Sequence, residues 1–222
     1  MRITERAFAA SLDCKTKCLL YLRNEPSSHH SEFVLWSASI QAQFEISAAN
    51  RVCATLPAGR VFLGTPPLPD LRTRSNPYVL ILGYEVATAE VQSQLHALTL
   101  TTGRGAGHQE YSPVRFIHRN KLNNSDRLRL AFDALAVSQD LGYVPATGKL
   151  IHGNNYRAVT VKLAPWVKKV RRLMATIPHT ILSSAPPPPT LNKHCGECEF
   201  QNRCRQNALQ QDDLSLLANL TE

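Results

Sequence analysis

Cys195, Cys198 and Cys204 fall within ten residues of one another, in a C-x2-C-x5-C arrangement near the C-terminus. A fourth cysteine, Cys14, stands near the N-terminus in the stretch Leu12-Asp13-Cys14-Lys15-Thr16-Lys17. Thiolate sets of this kind select zinc or iron–sulfur clusters. Together the four would make a tetrahedral sulfur cage that draws the first and last segments of the chain to one point. Sulfur spacing does not separate the two metals. Zinc would take all four cysteines, or the C-terminal three together with His194. The remaining cysteines, Cys18 and Cys53, read as small buried residues.

The rest of the composition fits a cage of this type. At 222 residues and 43% hydrophobic content, the chain has enough apolar material for a core without disulfides. It has no apolar run long enough for a membrane span, and its first residues lack the apolar stretch of a secretory signal. A reducing cytoplasm is therefore the expected compartment, where clustered cysteines bind metal or do chemistry. The net charge of +8 and pI near 9.4 favour a polyanionic partner.

The periodicity predicts the elements that must position these residues. Thr4 caps a first helix that runs through Phe8 and Leu12 and delivers Cys14. An apolar segment follows at Leu19 to Leu22, then a polar break holding His29 and His30, then a helix over 32–52. The stretch 59–77 reads as loop. Strands are expected at 78–84, 90–101 and 111–118, with a turn at Gly103 to Gly107. Ser125 is the expected cap of a helix that Gly142 ends. Short strands at 149–151 and 159–163 flank a turn, and Pro165 opens a last long helix. That helix carries Lys168, Lys169, Arg171 and Arg172, which read as a solvated face. Trp36 and Trp166 stand at helical positions suited to a core. Pro186 to Pro189 is a stiff spacer. Mixed strands and helices indicate a single α/β domain over 1–222, with 78–163 as its central sheet and helix. Residues 1–30 and 186–222 would form a cysteine lobe.

In its cysteine layout the chain resembles the RecB-like nuclease family of the PD-(D/E)XK fold, in the iron–sulfur branch. That branch includes CRISPR-associated RecB-like exonucleases and the AddB nuclease domain. The likeness is nearest to a bacterial group within that family. Besides the cysteines it rests on Tyr111 to Phe116, Lys121-Leu122, Asp126 to Ala134, Gly148 to Gly153 and Asp212 to Leu217. It implies a restriction-endonuclease-like core, a central mixed sheet flanked by helices. It also implies a structural [4Fe-4S] cluster on Cys14, Cys195, Cys198 and Cys204, with zinc as the alternative. The implied partner is nucleic acid, DNA ahead of RNA. A second chain supplying an exonuclease or helicase part is a further expected partner, because the Asp212 to Leu217 segment leads onward in relatives.

The chemistry that the family performs is metal-dependent phosphodiester hydrolysis. An Asp on one strand and a Glu-x-Lys on the next hold Mg2+ or Mn2+. The matching positions here are His96, Arg115 and Ile117, and the helix position that is Gln in the family is Arg129. No Asp or Glu lies between Val91 and Gln109, so a shifted alignment restores no carboxylate on the first strand. A guanidinium in place of a ligand carboxylate repels the cation by about 4 kcal/mol per unit charge at 4 Å and an effective dielectric near 20, and twice that for a divalent ion. Two expectations follow. One is a nucleic-acid-binding protein with a degenerate site that is inactive alone, in which Arg115, His118, Arg119 and Lys121 contact phosphate. The other is an active nuclease using unrecognised ligands such as Glu110 or Asp133, or a partner chain.

Overall fold

The computed structural model describes residues 1–27, 32–68, 71, 76–102, 109–182 and 190–217. The chain divides into two compact units, Met1–Glu5 with Gln41–Met174 and Arg6–Ile40 with Ala175–Glu222. The expected turn at Gly103 to Gly107, His29, His30 and the Pro186 to Pro189 spacer lie outside the described residues. No helix among the described residues is long and apolar enough to cross a membrane.

The first unit is built on a mixed seven-stranded sheet. β1 is Ile3–Thr4, β2 Val61–Leu63, β3 Leu80–Ala87, β4 Val91–Thr102 and β5 Gln109–Ile117; β6 is Thr147–His152 and β7 Arg157–Lys162. β3, β4 and β5 form an antiparallel meander, β5 and β6 run parallel, and β7 returns antiparallel to β6. The α/β class and the mixed sheet are thus as the sequence indicated. β2, inside the stretch expected to be loop, is a short addition that pairs parallel to β3. β1 pairs with the far end of β4, at Val91 and Gln92.

Two helices cover the sheet. The helix α3 (Glu32–Cys53) sets Phe44 and Ala48 on Leu80, Ala97, Val114, Phe116 and Ile151. Successive strand residues point to opposite faces, so Arg115, between Val114 and Phe116, points away from that cluster. There it meets the helix α4 (Asn124–Leu141) at Asp133. The cap of α4 is Asn123 rather than the expected Ser125. Asn123 and Asp126 exchange side chain and backbone bonds in a capping box, and Gly142 closes the helix at φ 85°. The Asn123 side chain satisfies an otherwise orphaned N–H, which Ser125, already inside the first turn, is not placed to do.

Gly83 at φ 69° interrupts the alternation of β3 opposite His96. Leu82 packs with the α3 cluster, yet Tyr84, two residues on, donates to Asp140 of α4 at 2.6 Å. In β4, Ala97 belongs to the α3 cluster while Ser93 reaches Asp133 of α4 at 2.9 Å. Both strands therefore exchange faces at the Gly83–His96 level, with the register unchanged on either side. Only glycine takes this left-handed backbone without cost.

The second unit holds α2 (Lys15–Leu22), a one-turn helix at Cys195–Glu197 and α6 (Gln201–Gln210). A short helix, α1 (Glu5–Ser11), follows β1, and α5 (Ala164–Leu182) follows β7. Trp36 is 60% exposed, contrary to the expected core role, because the start of α3 leaves Phe33, Leu35 and Trp36 on its surface. Nothing lies within 4 Å of a Cβ built on Gly83, so Gly83→Ala isolates the backbone cost. The variant is expected to lose roughly 1–2 kcal/mol in urea denaturation, with an unchanged m-value.

Candidate functional site: a thiol-lined cavity and a charge-inverted fork

Cys14 is the N-cap of α2, in extended backbone, and its Sγ accepts from Lys17 N at 3.4 Å. Asn192 N donates to Cys195 Sγ at 3.2 Å. Cys195 and Cys198 bracket a one-turn helix, and Cys204 sits on α6 one turn past Phe200. All four line one cavity of about 90 Å³, together with Asn192 and His194 among others. Burial first, and then the neighbouring thiols of Cys198, Cys14 and Cys195, push the Cys204 thiol up to about 11. Burial likewise raises Cys198. Four thiols thus face one space, from segments 181 positions apart. Among the described residues, no group of three or more His, Cys, Asp or Glu is arranged to hold a metal ion.

Glu199, between Cys198 and Phe200, fastens this wall. Its buried carboxylate takes Lys17 Nζ at 2.8 Å, Arg6 Nη2 at 3.1 Å and the Tyr21 hydroxyl. Burial works against its charge, but the Lys17 and Tyr21 hydrogen bonds overcome it and hold the group at about 2. Phe200 stacks edge-on against Tyr21, and the Arg6 guanidinium lies 4.2 Å from the Tyr21 ring centroid. The fastening joins the α2 segment to the cysteine turn through protein groups alone.

Cys18 is buried and Cys53 half-buried, and neither lines the cavity.

In the first unit, His96, Arg115 and Arg129 lie within electrostatic reach of one another around Glu5. The β4–β5 ladder stops at Ala97–Val114, and the strands part beyond it. There Phe116 N donates to His96 Nδ1 at 3.1 Å. The other ring nitrogen faces Glu45 at 3.6 Å. Arg115, 2% exposed, grips Asp133 through Nε at 2.9 Å and Nη2 at 3.1 Å, and reaches Glu5 at 3.1 Å. Arg129 reaches the same Glu5 oxygen at 2.8 Å. Ile117 is a buried apolar end of β5.

The fork's pKa values follow from this geometry. Burial alone would raise the Glu5 carboxyl, but Arg115 and then Arg129 outweigh it and hold the group at about 2. Burial, Arg115 and Arg129 push His96 down to about 3, so it is neutral here. Burial raises Asp133 against the pull of Arg115. Burial opposes the Arg115 charge, yet Asp133 and Glu5 raise its pKa.

This overturns one expected phosphate contact. Arg115 is sealed inside and its guanidinium is spent on two carboxylates, because a buried cation must be paired. Asp133 is equally committed and is not a stray metal ligand. Glu110 lies half-buried on β5, opposite Thr101. His118, Arg119 and Lys121 are exposed, with Arg119 on the Asp126 carboxylate and His118 edge-on to Phe44.

Glu5 is the residue that sequence reading missed. It follows a two-residue strand, and no local pattern ties it to a strand 110 positions away. No family model and no curated protein matches this chain.

Two outcomes are expected. Removing one partner in Arg115→Leu strands a buried charge and costs about 3–5 kcal/mol, much of it restored in Arg115→Leu/Asp133→Leu. Urea midpoints of the two variants measure this. Separately, folded His96 refuses a proton that the unfolded chain accepts at an ordinary 6.5. Its contribution is therefore full above that pH and is lost as pH falls from 6.5 towards about 3. Glu5 adds a loss between 4.5 and about 2. His96→Asn keeps an acceptor for Phe116 and should flatten stability between pH 6.5 and 4.5.

Proposed function

We propose that the chain is a nuclease-fold protein of the RecB-like, PD-(D/E)XK type. In this reading it holds a structural [4Fe-4S] cluster and binds nucleic acid, DNA ahead of RNA, without cleaving it by itself. The observation that carries the reading is the convergence of Cys14 with Cys195, Cys198 and Cys204 on one cavity. Four soft donors suit an iron–sulfur cluster, and amide bonds to two of the sulfurs are the kind that tune such centres. The preference for a cluster over zinc rests on the resemblance, because four thiols suit either.

When bound, the group supplies cross-linking rather than catalysis. The Cys14–Cys195 separation makes that link worth about 5 kcal/mol of unfolded-chain entropy. This chain's own residues prepare the cage. Asn192 and the Lys17 amide orient sulfurs, and the Glu199 fastening holds α2 against the cysteine turn.

The fold type is supported by the order α3, β3–β4–β5 meander, α4, parallel β6, with the parting strands at its centre. Loss of cleavage is supported by the fork. Where the resemblance would put two carboxylates on Mg2+, His96 and Arg115 stand, and the nearby Glu5 and Asp133 are paired with Arg115 and Arg129. His118, Arg119 and Lys121 remain outside the fork as exposed candidates for phosphate.

Anaerobic purification with iron, sulfide and zinc analysis tests the centre. About four irons and four sulfides per chain, with a broad visible absorption band, are expected. Cys14→Ser should lose the band and lower the thermal midpoint, while Cys53→Ser should leave both unchanged. Stoichiometric zinc without iron would replace the cluster with zinc. Incubation of labelled single- and double-stranded DNA with Mg2+ or Mn2+ is expected to give no EDTA-sensitive cleavage.

A further inference from the structure

Between Asp140 and Glu197 the chain has no Asp or Glu, yet it has eight Lys and Arg. That number equals the formal net charge of the whole protein, +8, so the remainder of the chain is balanced. The excess is a local feature. Its densest part is α5, where Lys168, Lys169, Arg171 and Arg172 are all exposed and no acidic residue occurs from Ala164 to Leu182. At 100° per residue these four occupy one arc of the helix. Val167 and Val170, on the other side, are buried.

None of the four cations has a carboxylate partner among the described residues. The half-buried Trp166 organises one end of the arc. Lys169 Nζ lies 4.6 Å from the ring centroid, and the guanidinium of Arg127, from α4, lies 5.8 Å from it. Arg127 is also held by Asn123 and Asn124 at the start of α4. Five cations from two helices are thereby presented together with no acid among them.

We infer that this α5 face is a docking surface for the phosphodiester backbone of duplex nucleic acid, read without base specificity. It shares no residue with the fork or with the thiol cavity. The choice of polyanion rests on the nucleic-acid reading above; the charge asymmetry does not. Density of charge decides the occupant. A duplex carries one phosphate per 1.7 Å of axis, and its condensed counterions are released by an array of unpaired cations. A bilayer would reward an exposed apolar face, and here that face is packed inside the protein. Planar guanidinium forks and ammonium point charges on one helix suit phosphates.

The test uses the whole protein purified anaerobically, a labelled random-sequence duplex of about 30 base pairs, and anisotropy titrations between 50 and 200 mM salt. Each phosphate contact contributes about −0.9 to the slope of log K against log salt, so Lys168→Gln/Lys169→Gln/Arg171→Gln/Arg172→Gln should reduce its magnitude by about 3. The same variant should weaken binding on the order of a hundredfold at 100 mM salt. The milder Lys168→Gln/Lys169→Gln should lie between, and circular dichroism and the visible spectrum should match the parent. Removing four other exposed charges, in Arg2→Gln/Arg23→Gln/Arg51→Gln/Arg60→Gln, should change affinity far less.

Equal losses in the two quadruple variants would overturn the surface and leave nucleic-acid binding intact. No duplex binding by the parent at 50 mM salt would sink both. Tighter α5-dependent capture by phosphatidylserine vesicles than by duplex would replace the occupant with a membrane.

Discussion

A guanidinium with 2% of its surface exposed has to be neutralised where it lies, and much of the first unit is arranged around that requirement at Arg115. Desolvating a cation costs several kcal/mol unless good hydrogen bonds and opposite charge return it. Asp133 supplies a two-point grip from α4, Ser93 completes Asp133 from β4, and Glu5 arrives at the end of β1. One side chain thus fixes how a helix, a central strand and the N-terminal strand meet. Arg129 shares Glu5, and the summed positive field leaves His96 neutral, its Nδ1 free to accept from Phe116.

That arrangement bears on function through sign. A parting of two strands with a helix behind it can gather four or five polar side chains at one point. Filled with carboxylates and a lysine, it would attract a divalent cation and water. Filled with Arg115, Arg129 and a neutral histidine against two paired acids, it is electrostatically closed to Mg2+. The paired charges of the fork make it a structural lock. The second unit uses another device, in which Glu199 and its three donors hold the cysteine turn to α2 and bring four soft donors round one cavity.

Local pattern made much of this legible. Apolar alternation marked β3, β4 and β5 within three residues, and helical spacing marked α3, α4 and α5. Gly142 ended its helix as glycine at a left-handed position does. The misses have physical causes. Asn123 and Ser125 are both good caps, and only the geometry of the chain entering α4 selects Asn123. Trp36 sits on a helix whose first turns stay exposed, which periodicity cannot distinguish from a buried stripe. Arg115 reads as a phosphate contact because the sequence displays its charge and hides its burial. Glu5 and Arg115 are joined across 110 positions by strand placement, which no local propensity encodes.

Residue types and spacing alone therefore determined the kinds of chemistry open to this protein. Three cysteines in ten residues offer soft donors, the segment between Val91 and Gln109 offers no carboxylate, and an acid-free stretch of 56 residues makes one region basic. These are properties of side-chain chemistry and short-range order, which survive without a fold. Which charges are buried, which are paired and which remain to meet a partner was decided only by tertiary structure. Desolvation and ion pairing depend on distances between segments far apart in the chain, and those distances exist only once the sheet, its covering helices and the cysteine wall have formed.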